Sequence, residues 1–152
     1  MNVFILSKEP RENARMHFDS HVVKMILEAA QIACTVHHKL GNEAPYKPTH
    51  QNHPSVIWAG SSLKAYKFVV TYGLALCYEF EHRRKKQHKT KEVLLWLKDN
   101  LPDIPNGPVN YCLVMPEQYK VAGDAVTSYR NYIKAEKQHL AKWTNRPTPE
   151  WW

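Results

Sequence analysis

Between residues 19 and 40, apolar side chains recur at every third or fourth position, and this spacing constrains the fold more than any other feature. The stripe consists of Val22, Ile26, Ala29, Ala33 and Val36. Residues spaced in this way share a face in a helix, so the pattern predicts a helix over 19–40. Asp19 or Ser20 is the expected N-cap, and Gly41 is the expected end. Similar reasoning predicts further helices over 10–17, 54–87, 90–100 and 122–143.

Proline-rich segments separate these predicted helices. Residues 41–54 contain three prolines in fourteen positions, and residues 102–110 are also rich in proline, so both are expected to be loops. Residues 2–6, NVFIL, are a short apolar run that suits either a strand or a buried arm. The chain of 152 residues is long enough for one domain. We therefore expect an all-α fold, a single compact domain over 1–152 with about three main helices, long loops and an N-terminal arm.

The chain is basic, with 21 Lys and Arg against 14 Asp and Glu, a net charge of +7. Such a surface attracts phosphate polyanions, so double-stranded DNA is the expected partner. The segment 82–91 concentrates six Lys or Arg and two His. The residues expected to contact the DNA backbone are Arg83, Arg84, Lys85, Lys86, Lys89, Lys91, Lys134 and Arg146.

Several classes of protein do not suit this sequence. The three cysteines, Cys34, Cys77 and Cys112, are too widely spaced for a zinc motif or a secreted disulfide framework. The N-terminus does not resemble a signal peptide, and no run has the length of a membrane span. These features predict a cytoplasmic protein without membrane contact, and we expect a monomer without an obligatory protein partner.

A polar row lies beside the apolar stripe of the helix predicted over 19–40. It consists of His21, Lys24, Glu28 and Gln31, which follow one another along one face. Such a row is either a solvated face with a weak ion pair or part of a catalytic site. In the catalytic interpretation Glu28 is a general acid or base, His21 assists proton transfer, and Lys24 binds an anion or lowers the pKa of Glu28. Asp19 and Gln31 would then contact the substrate.

The loop YKPTHQNHP presents His50, Asn52 and His53 between two prolines. Proline restricts the unfolded chain, which suits a loop that holds side chains in fixed places. The loop is purely structural, begins a zinc site, or contacts substrate. The sequence shows no third strong ligand for zinc, so a structural loop and a substrate-contacting loop stay open, and the three residues are candidates for substrate contact.

Basic and aromatic residues alternate in the last predicted helix. Tyr129 and Arg130 lie there, and Tyr119 precedes them. Rings beside cations are typical of sites that hold a base removed from the DNA stack, so these three residues are candidates for substrate binding. The alternative is that a tyrosine such as Tyr129 packs in the core.

Two of these motifs resemble the phage pyrimidine-dimer DNA glycosylases of the endonuclease V type. The first is Asp19-Ser20-His21 at the start of a helix, followed seven residues later by Glu28. The second is Arg146-Pro147-Thr148 followed by aromatic residues. The segments NHPSVIWA, MPEQYKV and GDAVTSYRNYIKAEK look like a divergent branch of small phage proteins near that family. The resemblance covers the first 35 residues and about the last 25.

The resemblance implies a helical domain threaded by its N-terminal arm, which flips a base and attacks the sugar C1′ with its α-amine. The family glutamate would be Glu28, and no metal or cofactor would be needed. In the family a small second residue permits removal of the first methionine. The chain departs from this pattern because its second residue is Asn2, so the amine is expected on a retained Met1. It also has Leu27 before Glu28 and lacks the family's arginines there.

Three functions therefore stay open. The first is a DNA glycosylase with lyase activity on damaged or modified pyrimidines. The second is a phage transferase that adds an amine or amino acid to an activated thymidine base. The third is a DNA-binding module without catalysis.

Overall fold

The computed structural model describes all 152 residues and contains six α-helices and no β-strand, which confirms the all-α prediction. The helices are α1 (Pro10–Met16), α2 (Asp19–Lys39), α3 (Pro54–Ala59), α4 (Leu63–Arg84), α5 (Lys91–Asp99) and α6 (Ala125–Glu136). Two single 3-10 turns follow at Glu117–Tyr119 and Gln138–Leu140. The predicted loops before α3 and after α5 are irregular. None of the helices combines the length and the apolar character needed to cross a membrane.

Helices α2 and α4 form the centre of the molecule, and all five residues of the predicted apolar stripe on α2 are buried. Gly73 permits a close approach of three helices. A Cβ atom added there would lie 2.8 Å from Leu94 of α5 and 3.0 Å from Cβ of Ala29 on α2. A larger residue at position 73 would therefore force the Leu94 side chain and the adjoining turn of α2 to shift where α4 crosses its neighbours.

The start of α2 differs from the prediction. Neither Asp19 nor Ser20 is the N-cap; that position belongs to Phe18, which gives no side-chain cap. The Asp19 carboxylate instead accepts hydrogen bonds from Arg83 and from Thr144 in the C-terminal tail. Its oxygens are therefore committed to distant parts of the chain.

The prediction of one continuous helix over 54–87 is wrong, because the structure has two helices in this region. α3 ends at Ala59 with Gly60 as its C-cap, and Ser62 caps α4 through a hydrogen bond from the Ala65 amide to its hydroxyl. Serine is a favoured N-cap because its oxygen satisfies a free amide of the first turn. α4 ends at Arg84, with Lys85 in the left-handed conformation at φ 56°.

The last helix is also shorter than the predicted 122–143. Asp124 caps α6 by accepting a hydrogen bond from the Thr127 amide, and the helix ends at Glu136. The following residues turn back so that the tail packs on the start of α2. Trp143 donates to the Met16 carbonyl and its ring lies 5.3 Å from that of Phe18.

The N-terminal arm is an extended buried segment and not a strand. The Asn13 side chain takes the place of a neighbouring strand, since it accepts from the Leu6 amide and donates to the Phe4 carbonyl. The Phe4 amide donates to the Tyr72 hydroxyl at 3.4 Å, and Arg130 donates twice to the Leu6 carbonyl. Most of the arm's polar backbone groups thus find side-chain partners, which allows a chain end to run through a core.

Candidate functional site

The arm brings the beginning of the chain to the polar row on α2. The backbone amide of Asn2 lies 3.3 Å from Oε2 of Glu28 and donates to it. The Glu28 side chain is 13 % exposed, and Met1 is half-buried. A carboxylate and the end of the chain are therefore neighbours in a partly enclosed place.

Asn2 is held by its own side chain. Its Nδ2 donates to the carbonyl of Val114 at 3.0 Å, and its Oδ1 accepts from the amide of Val3. The hydroxyl of Tyr129 on α6 lies 2.9 Å from the same Oδ1. Since Asn2 is also buried, the direction in which the chain end points is fixed by residues far along the sequence.

Lys24 and Gln31 flank Glu28 on α2. Nζ of Lys24 lies 3.8 Å from Oε1 of Glu28, and its side chain is 70 % exposed. A pair of this kind contributes little to stability, but it keeps a mobile cation beside the carboxylate. Gln31 is half-buried one turn farther along.

The histidine loop is fastened to α2. Thr35, one turn beyond Gln31, accepts a hydrogen bond from the Thr49 amide at 3.1 Å. Its hydroxyl also lies 2.7 Å from the Gln31 carbonyl. This bond fastens the loop that carries His50, with φ of 48°, to the second half of α2.

His53 lies at the end of this loop and caps α3, because its Nδ1 accepts a hydrogen bond from the Ser55 amide at 3.1 Å. It is half-buried, and its burial is the largest cause that lowers its pKa. The N-terminal amine and His50 lower the pKa further, whereas the Glu28 carboxylate raises it. Asn52, the residue before His53, is exposed.

His21 is buried against the N-terminal arm, which corrects its assignment to the polar row beside Glu28. Its ring is 4 % exposed and stacks on Phe4 with centroids 4.5 Å apart. Burial is the main cause that lowers the pKa of His21 to about 3, so the ring is neutral. Its Nδ1 is buried without a hydrogen-bond partner. The helix begins one residue earlier than a cap at Asp19 or Ser20 would give, and the aromatic arm and tail cover this first turn.

Arg83 was expected to contact DNA, but it is 5 % exposed and lies in the interior. Its guanidinium donates to Glu79 and Asp19, each at 2.9 Å, and to backbone carbonyls of the residues before α2. Arg146 in the tail donates two further hydrogen bonds to Glu79. Burial alone raises the pKa of Glu79, but the bonds from Arg146 and Arg83 outweigh it and hold the pKa below its ordinary value. These three residues and Asp19 form a structural ion network rather than a DNA-contacting surface.

Other predicted contacts also have partners within the protein. Tyr129 is fully buried, so its ring is not a platform for a base, and the alternative that it packs in the core is confirmed. Arg130 donates to Leu6 and its guanidinium lies 5.0 Å from the ring of Trp151. Lys134 donates to the carbonyl of Trp151, and Lys91 pairs with Glu81 at 2.7 Å. Tyr119 is half-buried and donates to Glu136.

Four of the predicted DNA contacts remain free at the surface. Arg84, Lys85, Lys86 and Lys89 are exposed and lie around the end of α4. None forms a salt bridge within the chain. The left-handed turn at Lys85 spreads these cations instead of continuing them along one helix face.

The chain end and Glu28 have the groups that nucleophilic chemistry requires. A primary amine can attack an electrophilic carbon, and a carboxylate can accept the proton that the amine releases. Sequence reasoning missed Asn2 and Glu79 as positioning residues. Glu79 could have been found from its spacing to Arg83, since the two residues lie four apart on one helix. No signal in the sequence pointed to Asn2.

No three His, Cys, Asp or Glu side chains are grouped in a way that would hold a metal ion. Comparisons of the chain with protein-family models, with curated proteins and with solved structures gave no match. What the protein does must therefore be inferred from its residues and their geometry.

Proposed function

We propose that the protein is a DNA glycosylase with lyase activity on damaged or modified pyrimidine nucleotides. The observation that carries this proposal is the approach of the first residues to Glu28, with the Asn2 amide 3.3 Å from the carboxylate. A chain end placed beside a carboxylate is the arrangement that an amine nucleophile with a neighbouring base requires.

In this proposal the α-amine of Met1 attacks C1′ of the target nucleotide. The new bond is between the amine nitrogen and C1′, and the bond from C1′ to the base breaks with its electron pair on the base. Glu28 accepts the proton that the amine loses. When the sugar ring opens, the bond between C1′ and O4′ breaks, O4′ takes a proton from Glu28, and a Schiff base remains.

The charge of the protein supports DNA as the substrate. The exposed cations at the end of α4 and the net charge of +7 favour phosphate contacts, which position a duplex without reading its sequence. The attack at C1′ needs the target nucleotide outside the stack, so the DNA would be distorted and the base flipped.

Borohydride trapping on ultraviolet-irradiated duplex and on abasic duplex tests the proposal. We expect a covalent adduct of the native-start protein, and its absence at high enzyme concentration would contradict the proposal. Glu28→Gln should slow adduct formation by about 100-fold or more, because it removes the proton acceptor and preserves the shape. Lys24→Met is the matched control from the same row, and it should keep most of the rate.

The origin of the amine is tested separately. An intact-mass measurement shows whether Met1 is present, and peptide mapping of the trapped adduct shows whether residue 1 carries the sugar. Adding residues before Met1 should abolish trapping, because the nucleophile becomes an amide. Trapping on a lysine side chain would contradict the assignment of Met1.

A transferase acting on an activated thymidine is the second candidate, and the exposure of Lys24 favours it. An ammonium that is 70 % exposed and 3.8 Å from Glu28 can hold the anionic group of an incoming or leaving reactant. This function predicts activity only on previously modified DNA supplied with an amine or amino acid. A pure DNA-binding module differs from both enzymes, because Glu28→Gln would change only its affinity.

A further inference from the structure

A small cleft between α1 and α4 contains two cations that the protein leaves without partners. Its volume is about 160 Å³, and its lining consists of Arg11, Arg15, Ala75, Tyr78, Glu79 and Arg146. Arg11 and Arg15 are four positions apart on α1, so their side chains lie on the same face of that helix. Both are exposed, and neither forms a salt bridge within the chain. Two guanidinium groups are therefore available to a ligand in the cleft.

The one acidic residue that lines the cleft is already paired. The Glu79 carboxylate accepts a hydrogen bond from Arg83 at 2.9 Å and two from Arg146, at 2.8 and 3.1 Å. The nearby carboxylates of Glu9 and Glu12 do not line the cleft. The positive charge of the two α1 arginines is thus not cancelled by Glu79, and the cleft suits an anion.

Tyr78 on α4 helps to position one of these cations. Cζ of Arg11 lies 5.7 Å from the centroid of the Tyr78 ring, and Nζ of Lys91 lies 4.8 Å from the same centroid. The tyrosine is 49 % exposed, so both contacts are at the mouth of the cleft. A cation held over an aromatic face keeps its N–H groups free at the edge for an oxygen ligand.

Arg15 links the cleft to the exposed cations at the end of α4. Nη2 of Arg83 donates to the Arg15 carbonyl at 3.0 Å, so the end of α1 lies beside the end of α4. The next residue, Arg84, begins the group of exposed cations described above. The two sets of cations are neighbouring parts of one surface, which fits a polyanion better than a single small ion.

The size of the cleft indicates which part of a nucleic acid it holds. Pockets that enclose a drug-sized ligand usually measure about 300 to 1,000 Å³, and this cleft is smaller. It suits a phosphate group rather than a base with its sugar. Arginine is the side chain whose planar fork of N–H donors matches the oxygens of a phosphate.

We propose that the cleft between α1 and α4 binds backbone phosphates of DNA, with Arg11 and Arg15 as the contacting residues. This inference rests on DNA as the substrate in the proposed function, but not on the glycosylase chemistry. The contacts position the duplex and read no sequence, so they should be the same on damaged and undamaged DNA.

Binding of an undamaged duplex by Arg11→Ala/Arg15→Ala, measured by fluorescence anisotropy over a range of salt, tests the proposal. Alanine favours helix, so α1 should persist and the thermal midpoint should change little. We expect the affinity at low salt to fall by about 10-fold or more. The slope of log affinity against log salt should become shallower by about 1.8, because each lost phosphate contact accounts for about 0.9.

The matched control is Lys64→Ala/Lys67→Ala, which removes the same charge from exposed positions near the start of α4. It should change the salt slope by less than about one phosphate contact. Equal changes in the two variants, or no change in the arginine variant, would overturn the assignment of the cleft.

NMR of the arginine Nε–H groups tests the same contacts in the unaltered protein, whether or not the variants fold. Adding the duplex should shift the signals of Arg11 and Arg15. Inorganic phosphate at the same phosphate concentration should shift them far less, because a single ion lacks the neighbouring contacts. Shifts with inorganic phosphate but none with the duplex would overturn DNA as the ligand.

The binding measurements do not depend on catalysis, so they separate the two proposals. Wild-type protein that binds DNA through the cleft but forms no adduct on abasic DNA would contradict the glycosylase function and support the cleft. An adduct that forms while the arginine variant binds DNA as the wild type does would overturn the cleft alone.

Discussion

The hydroxyl of Tyr129 donates a hydrogen bond to Oδ1 of Asn2 across 2.9 Å and shares its proton with the Cys112 carbonyl 2.6 Å away. Helix α6 therefore determines where the first residues of the chain lie. The distance in sequence is 127 positions, so the arm and the helix meet only in the folded protein. Tyr129 was expected to stack on a base, but it instead holds Asn2, the residue next to the proposed nucleophile.

Tyr129→Phe should lower the rate of borohydride trapping more than it lowers stability. The ring still fills its buried site, so the loss of hydrogen bonds should cost about 1 to 2 kcal/mol of unfolding free energy. The chain end loses one of its fixed contacts, and misplacement of a nucleophile reduces the rate steeply. Chemical denaturation and single-turnover trapping measure the two effects. Tyr132→Phe, on the same helix, is the control, and an equal effect there would argue against a specific role of Tyr129.

Glu79→Gln should destabilise the protein by about 3 kcal/mol, measured by chemical denaturation. The substitution leaves the guanidinium of Arg83 buried with Asp19 as its remaining carboxylate partner, and an uncompensated buried charge is costly. Glu81→Gln on the same helix is the matched control. Glu81 is paired with Lys91 but is one-third exposed, so its loss should cost less than about 1 kcal/mol. Equal losses would mean that the buried network contributes no more than a surface pair.

The free energy of unfolding should decrease as the pH falls from about 6.5 to about 4. Burial is the main cause that lowers the pKa of His17 to about 4 and that of His21 to about 3. Above pH 6.5 neither state binds these protons; below it the unfolded chain binds them and the folded protein does not. Each histidine therefore reduces stability by up to about 1.4 kcal/mol per pH unit in this window.

Denaturant titrations at several pH values measure this slope. His21→Phe should flatten it, because the substitution removes a titrating ring whose Nδ1 has no partner and keeps an aromatic ring against Phe4. An unchanged slope in that variant would show that His21 is not responsible. The carboxyl groups of Glu79 and Asp19 affect stability at lower pH than the histidines do. Their pKa values are lowered in the folded protein, so they stabilise it above about pH 4, and this stabilisation is lost as the pH falls through their folded-state pKa values.

Removal of three exposed cations should weaken DNA binding uniformly across sequences. The triple variant Lys85→Ala/Lys86→Ala/Lys89→Ala should bind DNA with lower affinity. The salt dependence of that affinity should correspond to up to about three fewer phosphate contacts. A variant with alanine at Lys64, Lys67 and Lys98 removes the same charge from other exposed positions of α4 and α5. Binding titrations over a range of salt compare the two. An equal effect would indicate general charge attraction without a defined contact surface.

Periodicity predicted the positions of α2 and α5 well, because each has a regular apolar stripe bounded by proline, glycine or polar residues. It failed at Gly60–Ser62, where the stripe continues in register across a break. The serine cap that starts α4 was present in the sequence, but a local cap signal was outweighed by a longer apolar pattern. The end of α6 was overestimated for a similar reason, since the basic and aromatic residues after Glu136 keep a helical spacing without continuing the helix.

The candidate site was harder to predict, because its members come from four separate segments. The place of Glu28 on a polar row followed from helical geometry, and the histidine loop stood out through its prolines. The roles of Arg83 and His21 did not follow. Whether a cation or an imidazole faces solvent depends on which distant segment packs over it, and the partners of Arg83 lie up to 68 positions away.

The course of the arm also has a consequence for how the protein is made. Asn2 and Leu6 leave the ribosome long before their hydrogen-bond partners, which include Val114, Tyr129 and Arg130. The apolar NVFIL segment must therefore wait, without its native neighbours, until most of the chain has been synthesised. Long-range closure of this kind is slow and leaves an aggregation-prone segment exposed in the meantime. A nascent chain that stops short of α6 would lack the contacts that set its own first residue in place.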